Sequence, residues 1–193
     1  MKIVVYSAIT GAVDNPRKDG IQCFGDYGRF KDPRLNAKIY KILSHLFIAA
    51  DVSIWVDGNV QLLVSPEELV SLTSGDACAF HHWDRDCIYD EARVCIRSRL
   101  DHADTIRKQM DKYQREGFPR HAGLAAANVL IRRHTPEVCR MNERWWAEIC
   151  AHSIRDQLSF PVCFRGSLEL LNVDPRGRYI QMNRHAKRRT RYR

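Results

Sequence analysis

The chain has 193 residues, 45% of them hydrophobic and 28% charged, with 10 Gly and 7 Pro. That composition supports one full hydrophobic core and excludes collagen-like, low-complexity and wholly disordered chains. The formal net charge of +8 raises the question of a polyanionic partner, either nucleic acid or an anionic membrane surface.

Residues 2–9 form a β-branched apolar run that reads as a buried first strand, ending at Thr10 and Gly11. This run is too short for the apolar core of a signal peptide, and no apolar run approaches the ~20 residues of a membrane span. Residues 14–20 are polar, hold Pro16 and Gly20, and read as a loop. A short second strand spans residues 21–24. Residues 33–47 carry Leu35, Ile39, Ile42, Leu43 and Leu46 at helical spacing, with Pro33 in the first turn, and so predict one helix. A third strand at 52–56 ends in Asp57-Gly58-Asn59, residues 60–64 continue extended, and 66–72 form a short helix. A fourth strand covers 77–80. Residues 88–116 are helical with a break near Asp101, stopped by Gly117-Phe118-Pro119. Residues 128–132 read as a strand and 136–151 as a helix in which only one of Trp145 and Trp146 can face the core. Residues 153–160 open another helix, with Ser153 as N-cap and Asp156 at the capping-box position.

The chain ends in a charge asymmetry. All 23 acidic residues lie before position 176, and Arg176, Arg178, Arg184, Lys187, Arg188, Arg189, Arg191 and Arg193 lie from there on, so residues 1–175 are neutral. We therefore read a body at 1–175 and a basic tail at 176–193, with Lys187, Arg188, Arg189 and Arg191 as candidate polyanion contacts, DNA among them. A solvated end that aids solubility is the alternative reading. The seven cysteines are odd in number, widely spaced and without a CxxC pair, which fits reduced thiols in a cytoplasmic protein.

Strands alternating with helices predict an α/β sandwich with a mostly parallel central sheet, whose ligands bind outside the carboxyl ends of the strands. Thr10-Gly11, Asp26 and Asp57-Gly58-Asn59 all fall at such ends. Asp57 and Asn59, delivered by an apolar strand and separated by glycine, suit a hard divalent cation that bridges a diphosphate, although the same tripeptide is also a good turn. His81, His82 and Arg85 follow another strand end and can hold metal, phosphate or a sugar hydroxyl; an ordinary polar loop is equally compatible. Arg155, Asp156 and Gln157 can hold sugar hydroxyls, and the carboxylate can act as base or stabilise positive charge at an anomeric carbon. Arg34 and Lys38, one helical turn apart, can hold a diphosphate.

In chain order these blocks are IVVYSAITG, QCFGDY, Arg34 with Lys38, SIWVDGN, AFHHWDRDCIYDEA, QMDKYQREGFP and WWAEICAHSIRDQLSF. Together they resemble the TOD/MUCI-type glycosyltransferase-like family, which is similar to GT-A nucleotide-sugar transferases. The resemblance implies a GT-A-like Rossmann-type sandwich and a nucleotide-diphosphate sugar donor, such as a UDP-sugar, bridged by Mn²⁺ or Mg²⁺. Carried over by position, it sets Thr10, Gly11 and Asp26 at the nucleotide, and Arg34 and Lys38 at the phosphates. Asp57 and Asn59 fall at the metal, with His185 as a loosely matched later ligand. His81, Arg85 and Arg155 fall on the sugar or acceptor side, and Asp156 and Gln157 beside the transferred sugar. Asn59 departs from the acidic pattern and weakens a hard-cation site. The implied activity is sugar transfer to an acceptor hydroxyl. The acceptor is either a hydroxylated base in phage DNA, in host cytoplasm, or a cell-surface glycan. A nucleic-acid-binding protein or a phosphoesterase without sugar transfer is the competing reading.

Overall fold

The computed structural model describes residues 1–11 and 14–186. The elements are β1 (Ile3–Ala8), β2 (Gln22–Phe24), α1 (Pro33–Ile42), α2 (Ser44–Phe47), β3 (Val52–Val56), β4 (Val60–Leu62), α3 (Pro66–Ser71), β5 (Ala77–His81), α4 (Ile88–Arg97), α5 (Ala103–Arg115), β6 (Ala125–Arg133), α6 (Pro136–Ala151), α7 (Asp156–Cys163), β7 (Leu168–Leu171) and β8 (Ile180–Met182). A six-stranded sheet runs in the order β2-β1-β3-β6-β5-β7, and β4 pairs with β8 in a separate ribbon. β2, β1 and β3 are mutually parallel, as are β5 and β7, and only β6 runs against its neighbours. The sheet is thus mostly parallel, as the alternation of elements predicts.

Both faces of the sheet are covered, which explains why β3 is buried at every position. On one face Tyr6, Trp55, Ala79 and Leu130 pack with Ile39, Ile42, Trp145 and Phe160 from α1, α6 and α7. On the other, Ile54, Val56, Phe80 and Ile131 pack with Leu69 and Val70 of α3 and with Ile180 of β8. A third cluster joins α4, α5 and α7 around Ile88, Ile106, Tyr113 and Leu158. No helix among the described residues is long and apolar enough to cross a membrane. The seven cysteines are free thiols, with Cys23 and Cys150 exposed.

Four local expectations are corrected. The helix read at 33–47 stops at Ile42 and restarts at Ser44. The cause is Arg132, a fully buried guanidinium on β6 with no carboxylate partner among the described residues. It donates to the carbonyls of Lys41 and Ile42 (the latter at 3.0 Å), to Asn142 Oδ1 at 2.7 Å and to the Tyr6 hydroxyl at 2.8 Å. A cation therefore terminates the helix at the end where its dipole is negative. The strand read at 128–132 begins at Ala125, because pairing with β5 across a bulge extends an alanine run of weak strand preference. Arg155, not Ser153, is the N-cap of α7; the Ser153 hydroxyl donates to Asp101 Oδ2 at 2.6 Å, and Asp156 is ion-paired instead of capping. The packed fold also continues past residue 175: Tyr179 and Ile180 are buried, and β8 pairs antiparallel with β4.

Two stability effects follow from the polar cluster under α1. Arg132→Leu removes a donor shared by four buried acceptors and is expected to lower the unfolding free energy by about 3–5 kcal/mol. Arg132→Lys should recover only part of this, because an ammonium lacks the guanidinium fork; urea denaturation reads both. His134, within 2.9 Å of Ser53 Oγ, has its pKa pushed down from 6.5 to about 4 by burial, with the Arg132 charge adding to it. Between those values the unfolded chain takes up a proton that the folded chain resists, so stability should fall as pH drops through this window. His134→Gln should flatten that slope in thermal melts taken across the same pH range.

Candidate active site

Several predicted residues converge where β1, β3 and β5 end. β6 begins at that same edge because it runs antiparallel, so its first residues lie beside the ends of its neighbours. The Asp57 amide donates to Asn128 O at 2.8 Å, and His81 is in register with Ala125. This is the carboxyl edge, where open α/β sheets bind ligands.

At its centre is a buried charge cluster. Asp156, 4% exposed at the first position of α7, pairs through Oδ1 with Lys38 Nζ at 3.0 Å and through Oδ2 with Lys41 Nζ at 2.6 Å. Lys41 also reaches Asp57 Oδ1 at 3.3 Å, and the Trp55 indole N–H donates to the same oxygen at 2.7 Å. Lys38 and Lys41 come together because they are three residues apart on α1. Burial alone would raise the Asp156 pKa, but Lys38, Lys41 and Arg155 outweigh it and hold the carboxyl far below the usual range. Such a carboxylate is a poor proton acceptor, so the base role considered for Asp156 does not suit its surroundings. Burial lowers Lys38 to about 8 in spite of Asp156. Burial acts in the same direction on Lys41, but Asp156 and Asp57 overcome it and raise its pKa, so Lys41 stays charged. Lys41 is the residue that sequence reasoning missed. Its signal was a second lysine sharing the inward face of α1 with Lys38.

The other predicted residues divide into those that join this cluster and those held elsewhere. Gln157 accepts from Arg155 Nη2 at 2.9 Å and donates to Ala125 O at 3.1 Å, which carries the site from Asp156 towards His81. Buried Glu91 lies between Arg85 (2.7 Å) and Arg155 (3.7 Å). Gly11 donates its amide to Asp26 at 3.2 Å, and the Thr10 hydroxyl donates to Pro33 O at 2.6 Å, so the end of β1 is tied to the start of α1. Arg34 does not stand with Lys38 on the site: it is paired with Asp32 at 2.6 Å and donates to Leu100 O at 3.0 Å. Trp146 packs against Phe30, and Trp145 is core. Lys187, Arg188, Arg189 and Arg191 lie outside the described residues.

The turn at Asp57-Gly58-Asn59 is joined by segments distant in sequence. Asn59 donates its side-chain amide to Asn183 O at 2.9 Å, and Asn183 N donates to Asn59 O at 2.8 Å, which brings the segment after β8 back to this turn. His185 there lies 2.8 Å from Asp14 Oδ1. A Cβ on Gly58 would come 3.0 Å from Asp14 Oδ2 and from Ile9 Cγ1, so any other residue there would push these side chains back slightly. The turn therefore offers a carboxylate, an amide carbonyl and a nearby imidazole, a donor chemistry that suits Mn²⁺ or Mg²⁺ completed by phosphate oxygens. The ligand atoms of Asp14, Asp57 and His185 are not all within 4.8 Å of one another. Among the described residues the one trio that meets this limit is Cys87, Asp90 and His121. There Asp90 is already held by Arg93 and Arg120, at 2.7 and 3.1 Å.

On the β5 side a cleft of about 450 Å³ opens, with His81, Trp83, Arg85, Asn172, Asp174 and Arg176 in its wall. His81 Nδ1 lies 2.9 Å from His82 O. A carbonyl only accepts, so Nδ1 carries a proton, and in the neutral imidazole Nε2 is then the nitrogen with the lone pair.

Residues 26–189 match the model of the TOD1/MUCI70, glycosyltransferase-like domain. The chain is 27% identical over 145 residues to a probable hexosyltransferase, MUCI70, of Arabidopsis thaliana; the match covers 68% of this chain and 25% of that protein. The chain thus spans about a quarter of the length of this relative. A glycosyltransferase involved in the glycosylation of the major capsid of PBCV-1 aligns with a TM-score of 0.45 at 10% identity, over 89% of this chain and 82% of that one. A197 from STIV aligns with a TM-score of 0.44 at 11% identity over the whole of both chains.

The two carboxylates of the cluster should differ sharply on neutralisation. Asp156→Asn takes the carboxylate from buried Lys38 and leaves Lys41 with Asp57 alone, and is expected to cost about 3–5 kcal/mol of stability. Asp57→Asn, at a third-exposed side chain that can still accept from Trp55, should cost about 1 kcal/mol or less. Chemical denaturation of the pair provides the check.

Proposed function

The chain belongs to the TOD1/MUCI70 glycosyltransferase-like domain family, and from that premise we propose that it moves a sugar from a nucleotide-diphosphate sugar to an acceptor hydroxyl. The observation that carries the proposal is Lys41, a buried ammonium that spans Asp57 at the end of β3 and Asp156 at the start of α7. Fixed positive charge at a strand-end turn is what a leaving diphosphate requires.

In this reading Lys38 and Lys41 offset the charge that develops on the leaving diphosphate. A divalent ion, Mn²⁺ or Mg²⁺, would be held by Asp57, with Asn59 and His185 at the same turn, and when bound it supplies further neutralisation of that charge. Thr10, Gly11 and Asp26, at the end of β1, serve the nucleoside side. Asp156 remains a carboxylate and keeps the lysines in place, and Gln157 lies between it and the sheet end that carries His81. His81 Nε2 takes the proton of the acceptor hydroxyl as its oxygen bonds to the anomeric carbon. The bond from that carbon to the phosphate oxygen breaks, and its electron pair leaves with the diphosphate. Arg85 and Arg155, fixed by Glu91, line the acceptor side.

Incubation with a panel of nucleotide sugars and Mn²⁺ is expected to release nucleoside diphosphate. Lys41→Met and His81→Ala should each reduce turnover by about 10²-fold or more, and EDTA should reduce it as well. Failure of the wild-type chain to bind or turn over any nucleotide sugar would sink the proposal, and cleavage of plain DNA would replace it with a phosphoesterase.

A further inference from the structure

The cleft at the ends of β5 and β7 is not accounted for by the donor site. Its floor is Trp83, a half-buried indole stacked on His82 with ring centroids 5.2 Å apart. Over Trp83, with the guanidinium carbon 4.6 Å from the ring centroid, lies Arg176. Arg176 comes from the loop between β7 and β8, where it is clamped by Asp174 at 2.6 Å. The base of that loop is rooted: Tyr179 is buried and stacks on Phe80 at 5.7 Å, and the amides of Tyr179 and Ile180 donate to Pro175 O. The Arg176 side chain itself is 47% exposed. The platform is therefore anchored in the core, and the group covering it is an exposed side chain held by surface contacts alone.

The charge of the wall restricts the occupant. Asp84, Asp86 and Asp174 line the cleft together with Arg85 and Arg176. Arg85 is already paired with Glu91, which Arg155 shares, and Arg176 with Asp174. Among the described residues of the wall, no cation is left without an acidic partner, which favours a neutral occupant over a run of phosphates. A neutral ring with one apolar face and several hydroxyls matches it, because the indole stacks on the C–H face and the carboxylates and amides bond the hydroxyls.

We propose that this cleft is the acceptor subsite and that it takes a neutral sugar residue stacked on Trp83, with Arg176 as a latch that the sugar displaces. This rests on the transferase reading and deepens it, since His81 stands in the same wall and is the group that would take the acceptor's proton. The latch makes a prediction that simple damage to the site does not: removing it should tighten binding.

The test is saturation-transfer NMR and titration of the full chain with methyl glycosides of common hexoses and pentoses, and in parallel with a single-stranded DNA oligonucleotide. At least one glycoside should bind, Trp83→Ala should abolish its signal, and Trp83→Phe should retain it. Arg176→Ala should raise the affinity by about two- to fivefold, the weight of one exposed cation–π contact. The Arg176→Ala variant keeps the test decisive should Trp83→Ala unfold. The inference is overturned by an affinity that falls or does not change in Arg176→Ala, by glycoside signals that persist without Trp83, or by the oligonucleotide binding in the cleft instead. If glycosides bind as expected but no nucleotide sugar binds or turns over, the transferase reading fails while the saccharide site stands.

Discussion

A fully buried arginine with no carboxylate partner among the described residues sets the geometry of this protein. Arg132 enters the core from β6, and every partner it has is neutral: two carbonyls at the end of α1, the Tyr6 hydroxyl and the Asn142 amide oxygen. Burying a lone cation is costly, and only a dense set of aligned acceptors offsets it. The end of a helix provides them, since its last carbonyls have no partners of their own and carry the negative end of the dipole. The guanidinium therefore cuts α1 at Ile42 and fixes its position against β1, β6 and α6.

That placement governs the charge cluster. The carbonyl of Lys41 is held by Arg132, and its side chain reaches across to Asp156 and Asp57. The same residue thus belongs to the core on its backbone side and to the carboxyl edge on its ammonium side. Asp156 is gripped by Lys38 and Lys41 and acts as an anchor, whereas His81, with its proton held on Nδ1 by a carbonyl, is better suited to receive a proton. The antiparallel β6 serves this arrangement, because its first residues bring the ends of β3 and β5 onto one surface. The ribbon of β4 and β8 does the same from the other face by returning Asn183 to the Asp57 turn.

Much of this was legible in the chain, for identifiable reasons. The strand at 52–56, mostly apolar, and the helix at 136–151 were read at the bounds that they have. The convergence of Asp57 and Asp26 at strand ends followed from the α/β alternation alone. The pairing of Arg34 with Lys38 was misleading, since helical spacing brings two side chains to one face but says nothing about Asp32 beside Arg34 or Asp156 across from Lys38. Ser153 looked like a cap because its sequence context is that of a cap, but the partner that claims its hydroxyl, Asp101, lies 52 residues away.

By itself the sequence determined the class of fold, the neutral body with its basic end, and the family, because periodicity, charge counts and ordered blocks are local properties of the string. Only the tertiary structure decided that Lys41 bridges two carboxylates, that Asp156 is an anchor, and that Arg176 lies on Trp83. It also showed that Asn183 and His185, deep in the basic segment, return to the Asp57 turn. Each of these depends on a contact between residues far apart in the chain, and burial then sets its strength: the same charges in water would be weakly coupled, whereas in the dry edge of the sheet they hold one another in place.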